Sequence, residues 1–167
     1  MIQNGIELQA MTFNGQEVNT WFHNDVEVYS AFTPFYVIEN GLLVDGNYTS
    51  ANRIVENLYS VTDLNYGAYG HSGAETEHKA GASVTFNTNG ATTLTIIGDG
   101  STSEGDATKI VITSGTTTIL SEIKVDSLNK TVDVSNYDTV TVQYFAYENN
   151  SSKSWLKAKI TEIYCSK

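Results

Sequence analysis

Groups that could carry out acid–base or nucleophilic chemistry are few and scattered. Besides the carboxylates, the candidates for a general base are three histidines, His23, His71 and His78, and no spacing unites them. The sequence has no His-Glu-x-x-His or Gly-x-Ser-x-Gly motif, no phosphate-binding glycine loop and no Cys/His cluster of the kind that holds zinc. We therefore expect no enzymatic activity. A glycosidase stays open as an alternative, because its two carboxylates must be close in space and not in sequence.

Aromatic residues near glycine- and asparagine-rich segments offer a different chemistry, the binding of carbohydrate. A sugar ring presents an apolar C–H face and an edge of hydroxyls, so a flat aromatic side chain with a few polar partners can bind it. The candidates for glycan binding are Tyr66, Tyr69, His71, Tyr147, Asn149, Asn150 and Trp155. Tyr144 and Trp155 also fall inside predicted strands, so packing in a core competes with ligand binding for both.

Calcium is the one metal that the sequence suggests. Asp99, Glu104 and Asp106 lie in one predicted loop and carry the oxygen ligands that this cation takes. Asp45 and Asn47 form a smaller set of the same kind. Neither segment follows the twelve-residue calcium-loop pattern, and a solvated acidic turn is the favoured interpretation. We expect no metal or other cofactor, with calcium as the alternative.

Short alternating strands must position these residues. Between residues 82 and 163, apolar residues alternate with Thr, Lys, Gln or Glu, which is typical of antiparallel sheets with one face on a core. The pattern predicts an all-β protein, an antiparallel β-sandwich of the jelly-roll type. The predicted strands are 84–86, 94–96, 110–112, 119–125, 140–144 and 155–163. The predicted turns and loops between them are 87–90, 98–106, 114–115, 129–130 and 148–153.

The region before the sandwich is predicted to be less regular. Residues 35–44 read as a hairpin with Asn40-Gly41 at its tip, a dipeptide that favours a type I′ turn. Residues 45–80 have the weakest pattern in the chain, with one short strand near 57–62. Such long connections in a sandwich often carry binding residues on a rigid scaffold.

Composition limits the classes of partner. The 167 residues are 40% hydrophobic, enough for one core and a small appendage. A net charge of -10 argues against nucleic acid and against an anionic membrane surface, because both need clustered positive charge. Cys165 is the single cysteine and is expected to be a free thiol. The N-terminus has no signal-peptide pattern, and no apolar run approaches the roughly 20 residues that span a bilayer, so we expect a cytoplasmic product without membrane insertion.

The N-terminal segment nearly repeats itself. Residues 13–18 are followed ten positions later by the similar residues 23–28, and each copy has a turn signal between strand residues. The pattern predicts a β-meander with strands 9–13, 16–22 and 26–32, followed after Thr33 by the sandwich of residues 34–167. So small a sheet buries too little apolar area to be stable alone. It either covers one end of its own sandwich or docks on another subunit. The candidate assembly contacts are Trp21, Phe22, Tyr29 and Phe32.

Two resemblances follow from these segments. The run Phe13-Asn14-Gly15-Gln16-Glu17-Val18, with the second Glu-Val strand at residues 27–28, resembles the N-terminal β-meander of small virion proteins of tailed bacteriophages. Asp25 stands where the second turn of that pattern has glycine. This resemblance implies residues 1–33 as an attachment segment and a non-catalytic structural or host-recognition protein of the virion, made in the host cytoplasm. Its partners would be other virion proteins, further copies of the chain, and host-surface glycans.

The second half of the chain resembles the β-sandwich carbohydrate-binding modules of bacterial glycanases. The likeness lies in the order of an Ile-Val-Ile strand, a Gly-Thr turn, a long strand and an aromatic-rich penultimate strand. It implies an alternative function, a carbohydrate-binding module or adhesin from a secreted bacterial protein. Placement in a phage head or tail is not encoded in either pattern.

Overall fold

The chain is built from β-strands, as predicted. The computed structural model describes residues 2–3, 6–7, 12–13, 16–17, 20–23, 26–30, 32–56, 58–63, 67–72, 78–102, 107–123, 127–148 and 155–167. None of these residues is helical, and none therefore belongs to a helix that could cross a membrane. The chain divides into two compact units, Met1–Thr33 and Pro34–Lys167.

In the first unit, the residues that the structure describes form three antiparallel two-stranded ladders in succession. Its strands are β1 (Ile2–Gln3), β2 (Ile6–Glu7), β3 (Thr12–Phe13), β4 (Gln16–Glu17), β5 (Thr20–His23) and β6 (Val26–Ser30). Each strand pairs with its neighbour in sequence, β1 with β2, β3 with β4 and β5 with β6. The predicted strand 16–22 contains β4 and most of β5, and within the described residues no ladder joins the pairs into a three-stranded meander. A two-residue connection closes the shortest loop, so pairing between strands adjacent in sequence loses the least chain entropy.

The described residues of the second unit form twelve strands. They are β7 (Phe35–Glu39), β8 (Leu42–Leu43), β9 (Ser50–Glu56), β10 (Leu58–Asp63), β11 (Gly67–Ser72), β12 (His78–Asn87), β13 (Thr93–Thr102), β14 (Ala107–Ser114), β15 (Thr117–Ile123), β16 (Ser127–Asp133), β17 (Thr139–Glu148) and β18 (Trp155–Ser166).

These strands form two antiparallel sheets with the jelly-roll order. One sheet has the order β10-β11-β18-β13-β16, with β7 also paired to β18 and β8 paired to β7, and the other has the order β15-β14-β17-β12-β9. The eight strands from β11 to β18 interleave between the sheets as β11-β18-β13-β16 and β12-β17-β14-β15. This arrangement of two Greek keys defines a jelly roll and confirms the predicted fold class.

The core lies between the two sheets, and burial alternates along β13 and along most of β18. In β18, Leu156, Ala158 and Ile160 are fully buried, whereas the residues between them are half-buried. A two-residue alternation of this kind puts one face of a strand on the core and the other on solvent. The largest fully buried side chains are Tyr144, Phe86, Ile38, Leu94, Ile96, Ile110, Ile112, Leu128, Leu156, Ile160, Ile163 and His78.

Two predicted turns are confirmed by backbone geometry. Asn40 and Gly41 have φ values of 51° and 75°, and they connect β7 to β8. Asn89 and Gly90 have φ values of 52° and 80° after β12. Positive φ at both central positions is the signature of a type I′ turn, which Asn and Gly adopt at little cost.

Two predicted connections are instead parts of strands. The predicted loop 98–106 is strand as far as Thr102, because Gly98 and Gly100 face the ring of Tyr144 and leave room for it. The predicted turn at Asn129-Lys130 lies in the middle of β16, where it pairs with β13. Polar turn-forming residues suit an edge strand because one face and one edge meet water.

The weakly patterned segment 45–80 is more regular than predicted. It contains β9, β10, β11 and the start of β12, whereas the pattern predicts only one short strand near 57–62. In β11 the buried positions include Ala68 and Gly70, so the alternation of this strand has no large apolar residue to reveal it. Because its inward residues are small, this jelly-roll strand has a sequence that resembles that of a loop.

Candidate ligand-binding face

The register of β11 and β18 brings three of the predicted glycan-binding residues onto adjacent strands. His71 pairs with Trp155, and Tyr69 pairs with Lys157. Directly opposed residues of an antiparallel ladder share one face of the sheet, with Cβ atoms about 4.5–5.5 Å apart. The weakly patterned segment that contains Tyr69 and His71 is thus a strand and not a long connection.

Trp155 and Lys157 lie on the outer face of their sheet. They alternate with Leu156 and Ala158, which are fully buried against the other sheet. Trp155 is half-buried rather than enclosed, so its packing with neighbours leaves part of the side chain accessible. The competing interpretation of Trp155 as a core residue is therefore wrong, whereas for Tyr144, which is 0% exposed, it is correct.

A charged pair borders the aromatic positions. Lys157 Nζ lies 2.5 Å from Asp99 Oδ2, across the β18–β13 ladder, and the two side chains remain 32% and 48% exposed. An ion pair at this exposure contributes about 0.2–1 kcal/mol, so a ligand that offers hydroxyl groups can exchange partners with it at small cost. Lys157 also pairs along the backbone with Ser101. We name positions 69, 71, 99, 101, 155 and 157 the Trp155 face.

The arrangement offers what a pyranose ring requires. An aromatic residue supplies a flat apolar contact, while the ammonium of Lys157 donates to hydroxyls and the carboxylate of Asp99 accepts from them. These groups lie on strands, so folding has already ordered their backbone, and binding a ligand loses less conformational entropy. The described residues contain no group of three His, Cys, Asp or Glu side chains that could hold a metal ion.

Tyr147 is separated from Trp155. It follows the inward-facing Tyr144 and Ala146 on β17 and lies on the outer face of the opposite sheet. Stacked sheets are about 10 Å apart, so Tyr147 and Trp155 cannot contact one ring of a ligand. These two residues, which flank the predicted loop 148–153, therefore belong to opposite faces of the sandwich.

Several other predicted residues lie outside the described part of the chain. Among the glycan-binding candidates these are Tyr66, Asn149 and Asn150, and among the calcium candidates Glu104 and Asp106. Asp99, the third calcium candidate, sits within β13 beside Lys157 rather than in a loop.

In the first unit, two of the four predicted assembly residues are direct partners. Trp21 of β5 pairs with Tyr29 of β6, while Phe22 pairs with Glu27. Phe32 is half-buried and follows the last strand of the unit.

Lys157 and Asp99 were not predicted as members of the site. Lys157 could have been found, because the pattern from Trp155 to Ile160 alternates clearly and puts Lys157 on the same side as Trp155. Asp99 could not, because its position next to β18 depends on the pairing of strands far apart in sequence.

No protein-family model and no curated protein matches this chain. Among solved structures, that of the CBM51-2 and INT domains of Clostridium perfringens ZmpB is similar over 77% of this chain, with 12% sequence identity and a TM-score of 0.40. The present chain spans 31% of the length of that chain.

Proposed function

We propose that this protein is a non-catalytic jelly-roll module that binds neutral glycans through its Trp155 face. The observation that carries the proposal is the β11–β18 register, which pairs His71 with Trp155 and Tyr69 with Lys157. Aromatic and hydrogen-bonding residues are thus placed at paired backbone positions of two adjacent strands. A sugar that stacks on Trp155 has the Lys157–Asp99 pair at its edge as a source of polar contacts.

We also propose that residues 1–33 attach the sandwich to a larger assembly, as in a tailed-bacteriophage virion protein that displays it toward host-surface glycans. The boundary after Thr33 supports separate roles for the two units. Ladders of two to five residues are too short to be stable by themselves, so they need a partner to pack on. Trp21 and Tyr29, which are backbone partners in the ladder of β5 and β6, are the residues that we propose to contact such a partner.

Calorimetric titration with neutral oligosaccharides tests the glycan proposal. The probes are oligomers of galactose, glucose, mannose and N-acetylglucosamine. The unmodified protein should bind at least one of them, and Trp155→Ala should weaken that affinity by about 30-fold, the usual effect of removing an aromatic anchor. Tyr164→Ala is the matched control, because Tyr164 is a half-buried aromatic residue at the other end of β18, next to Tyr36, and it should change the affinity less than about twofold. Equal losses in both variants would contradict the assignment to the Trp155 face.

Mass spectrometry of phage particles induced from the source bacterium tests the proposed setting. The chain should be recovered in purified virions at several copies per particle. Recovery in the secreted fraction, joined to a larger protein, would contradict the virion proposal and support the carbohydrate-binding module or adhesin of a secreted bacterial protein. That result would leave the glycan proposal intact.

A further inference from the structure

The outer face of the second sheet carries an aromatic pair at its centre. On β17, Phe145 and Tyr147 alternate with the fully buried Tyr144 and Ala146 and therefore lie on the outer face, where Phe145 is only 9% exposed and Tyr147 is the accessible ring of the two. The two rings are 6.1 Å apart at an interplanar angle of 59°, and Tyr147 is half-buried. Outer faces of antiparallel sheets usually carry polar residues, so an aromatic pair at this place calls for a specific reason.

Two lysines flank this pair on the neighbouring strands. Lys79 of β12 pairs with Tyr147, and Lys109 of β14 pairs with Phe145. Lys79 Nζ lies 5.8 Å from the centre of the Phe145 ring, within the range of a cation–π contact. We name Lys79, Lys109, Phe145 and Tyr147 the Lys109 face.

The charge beside the aromatic pair has the opposite sign to the net charge of the chain. The protein has 9 Lys and Arg against 19 Asp and Glu, yet two lysines stand beside the aromatic pair. Lys79 is already neutralised by Glu56, whose Oε2 lies 2.9 Å from its Nζ. Lys109 has no ion-pair partner among the described residues and is half-buried, which leaves one uncompensated cation beside the rings.

We propose that the Lys109 face is a second binding site and that its ligand is an acidic saccharide, a sugar that bears a carboxylate. Tyr147 stacks on the C–H face of the sugar ring, and Lys109 donates charge-assisted hydrogen bonds to the carboxylate. Tyr147 and Lys109 are diagonal neighbours across the β17–β14 ladder, about 7–8 Å apart, so one sugar residue can touch both.

The charge balance favours this ligand over nucleic acid. Nucleic-acid backbones carry one phosphate charge every few ångströms and need several cations, whereas the net charge here is -10. An acidic polysaccharide of the uronate type carries one carboxylate per sugar, which one lysine can match. The site lies on the opposite side of the sandwich from the Trp155 face, and it does not depend on the proposed binding of neutral glycans.

Calorimetric titration with oligogalacturonate, oligoalginate and sialyllactose tests the proposal, with uncharged galactose oligomers and single-stranded DNA as comparison ligands. At least one acidic sugar should bind more tightly than its neutral counterpart, and its affinity should fall as the salt concentration rises. Lys109→Gln and Tyr147→Ala should each weaken this binding by about tenfold, whereas Lys109→Arg should retain it within about threefold.

Trp155→Ala separates this proposal from the first one. This variant should change the affinity for the acidic sugar by less than about twofold, while it weakens the binding of neutral glycans. The proposal is overturned if no acidic probe binds, if DNA binds more tightly than every acidic sugar, or if Lys109→Gln has no effect. It is also overturned if Trp155→Ala abolishes acidic-sugar binding, because the ligand then lies on the other face. Circular dichroism of each variant shows that the fold is retained.

Discussion

The ring of Tyr144 occupies the space that a side chain at Gly100 would need. A Cβ added at Gly100 would lie 2.5 Å from Tyr144 Oη and 2.9 Å from Thr108 Cγ2. Tyr144 belongs to β17 of one sheet and Gly100 to β13 of the other, and the tyrosine is fully buried between them. The absence of a side chain at Gly100 therefore leaves the space between the two sheets that the Tyr144 ring occupies.

Gly100→Ala should destabilise the sandwich by about 1–3 kcal/mol, the usual cost of forcing an extra methyl into a packed core. Urea denaturation followed by circular dichroism measures the change in the free energy of unfolding. Ser101→Ala is the control, because Ser101 is half-buried on the outer face, and it should change stability by less than about 0.5 kcal/mol.

Tyr144→Phe shows whether the hydroxyl causes the clash. In the double variant with Gly100→Ala, the loss of stability should be smaller than the sum of the two single losses, because the atom nearest the new methyl is absent. Strict additivity would mean that Gly100 is required for another reason.

The same pair explains a limit of the sequence interpretation. A jelly-roll sandwich could be predicted because β12, β14, β17 and β18 combine large apolar residues with period-two alternation. The run Gly98-Asp99-Gly100 also alternates, but its inward positions carry no side chain, so the pattern resembles that of a loop. The reason for those glycines is Tyr144, which lies more than forty residues away in the sequence.

The candidate site was predictable in part for the same reason. Trp155 lies in a strand with a clear pattern, so its outward direction followed from its neighbours. Its relation to His71 required β11 to be recognised as a strand, and Ala68 and Gly70 concealed that. Nearness in sequence does not show that Tyr147 and Trp155 lie on different faces, because that depends on β17 and β18 belonging to different sheets.

Cys165 should be unreactive in the folded protein. The thiol is buried in β18, and burial raises its pKa from the usual 9.0 to about 12. Iodoacetamide reacts with the thiolate, so alkylation at about pH 8 should be much slower in the native protein than in urea. Rapid alkylation of the native protein would mean that the end of β18 opens readily.

The raised pKa of Cys165 also predicts how stability depends on pH. The contribution of the buried, protonated thiol to the free energy of unfolding is fully present below pH 9.0. It is lost as the pH rises toward 12, because the thiol of the unfolded chain ionises at a lower pH than that of the folded chain. Relative to Cys165→Ala, the unmodified protein should therefore lose free energy of unfolding between about pH 9 and pH 10. If the free energy of unfolding depended on pH in the same way in both proteins, ionisation of Cys165 would not be the cause.

Deletion of residues 1–33 should leave a folded sandwich. All described strand pairs of the second unit lie between residues 35 and 166, and the boundary between the two units falls after Thr33. The melting temperature should change by no more than a few degrees, as differential scanning calorimetry would show. Deletion of residues 155–167 is the contrasting control, because β18 pairs with β7, β11 and β13, and it should abolish folding.

The same deletion tests the role of the first unit in assembly. The full-length chain should form a multi-copy species in light scattering, and the truncated chain should be a monomer. Trp21→Ser combined with Tyr29→Ser should weaken that assembly without lowering the melting temperature of the sandwich, because the pair lies in the first unit. Unfolding or aggregation of the truncated chain would mean that residues 1–33 cover the core of the sandwich.

Fluorescence of Trp155 tests the central claim most directly. The chain has two tryptophans, so the variant Trp21→Phe leaves Trp155 as the sole tryptophan emitter. Titration of this variant with the neutral oligosaccharides should produce a saturable change in tryptophan emission, with the same dissociation constant as calorimetry. Binding seen by calorimetry with no change in Trp155 emission, or no binding of any neutral oligosaccharide, would contradict glycan recognition by the Trp155 face.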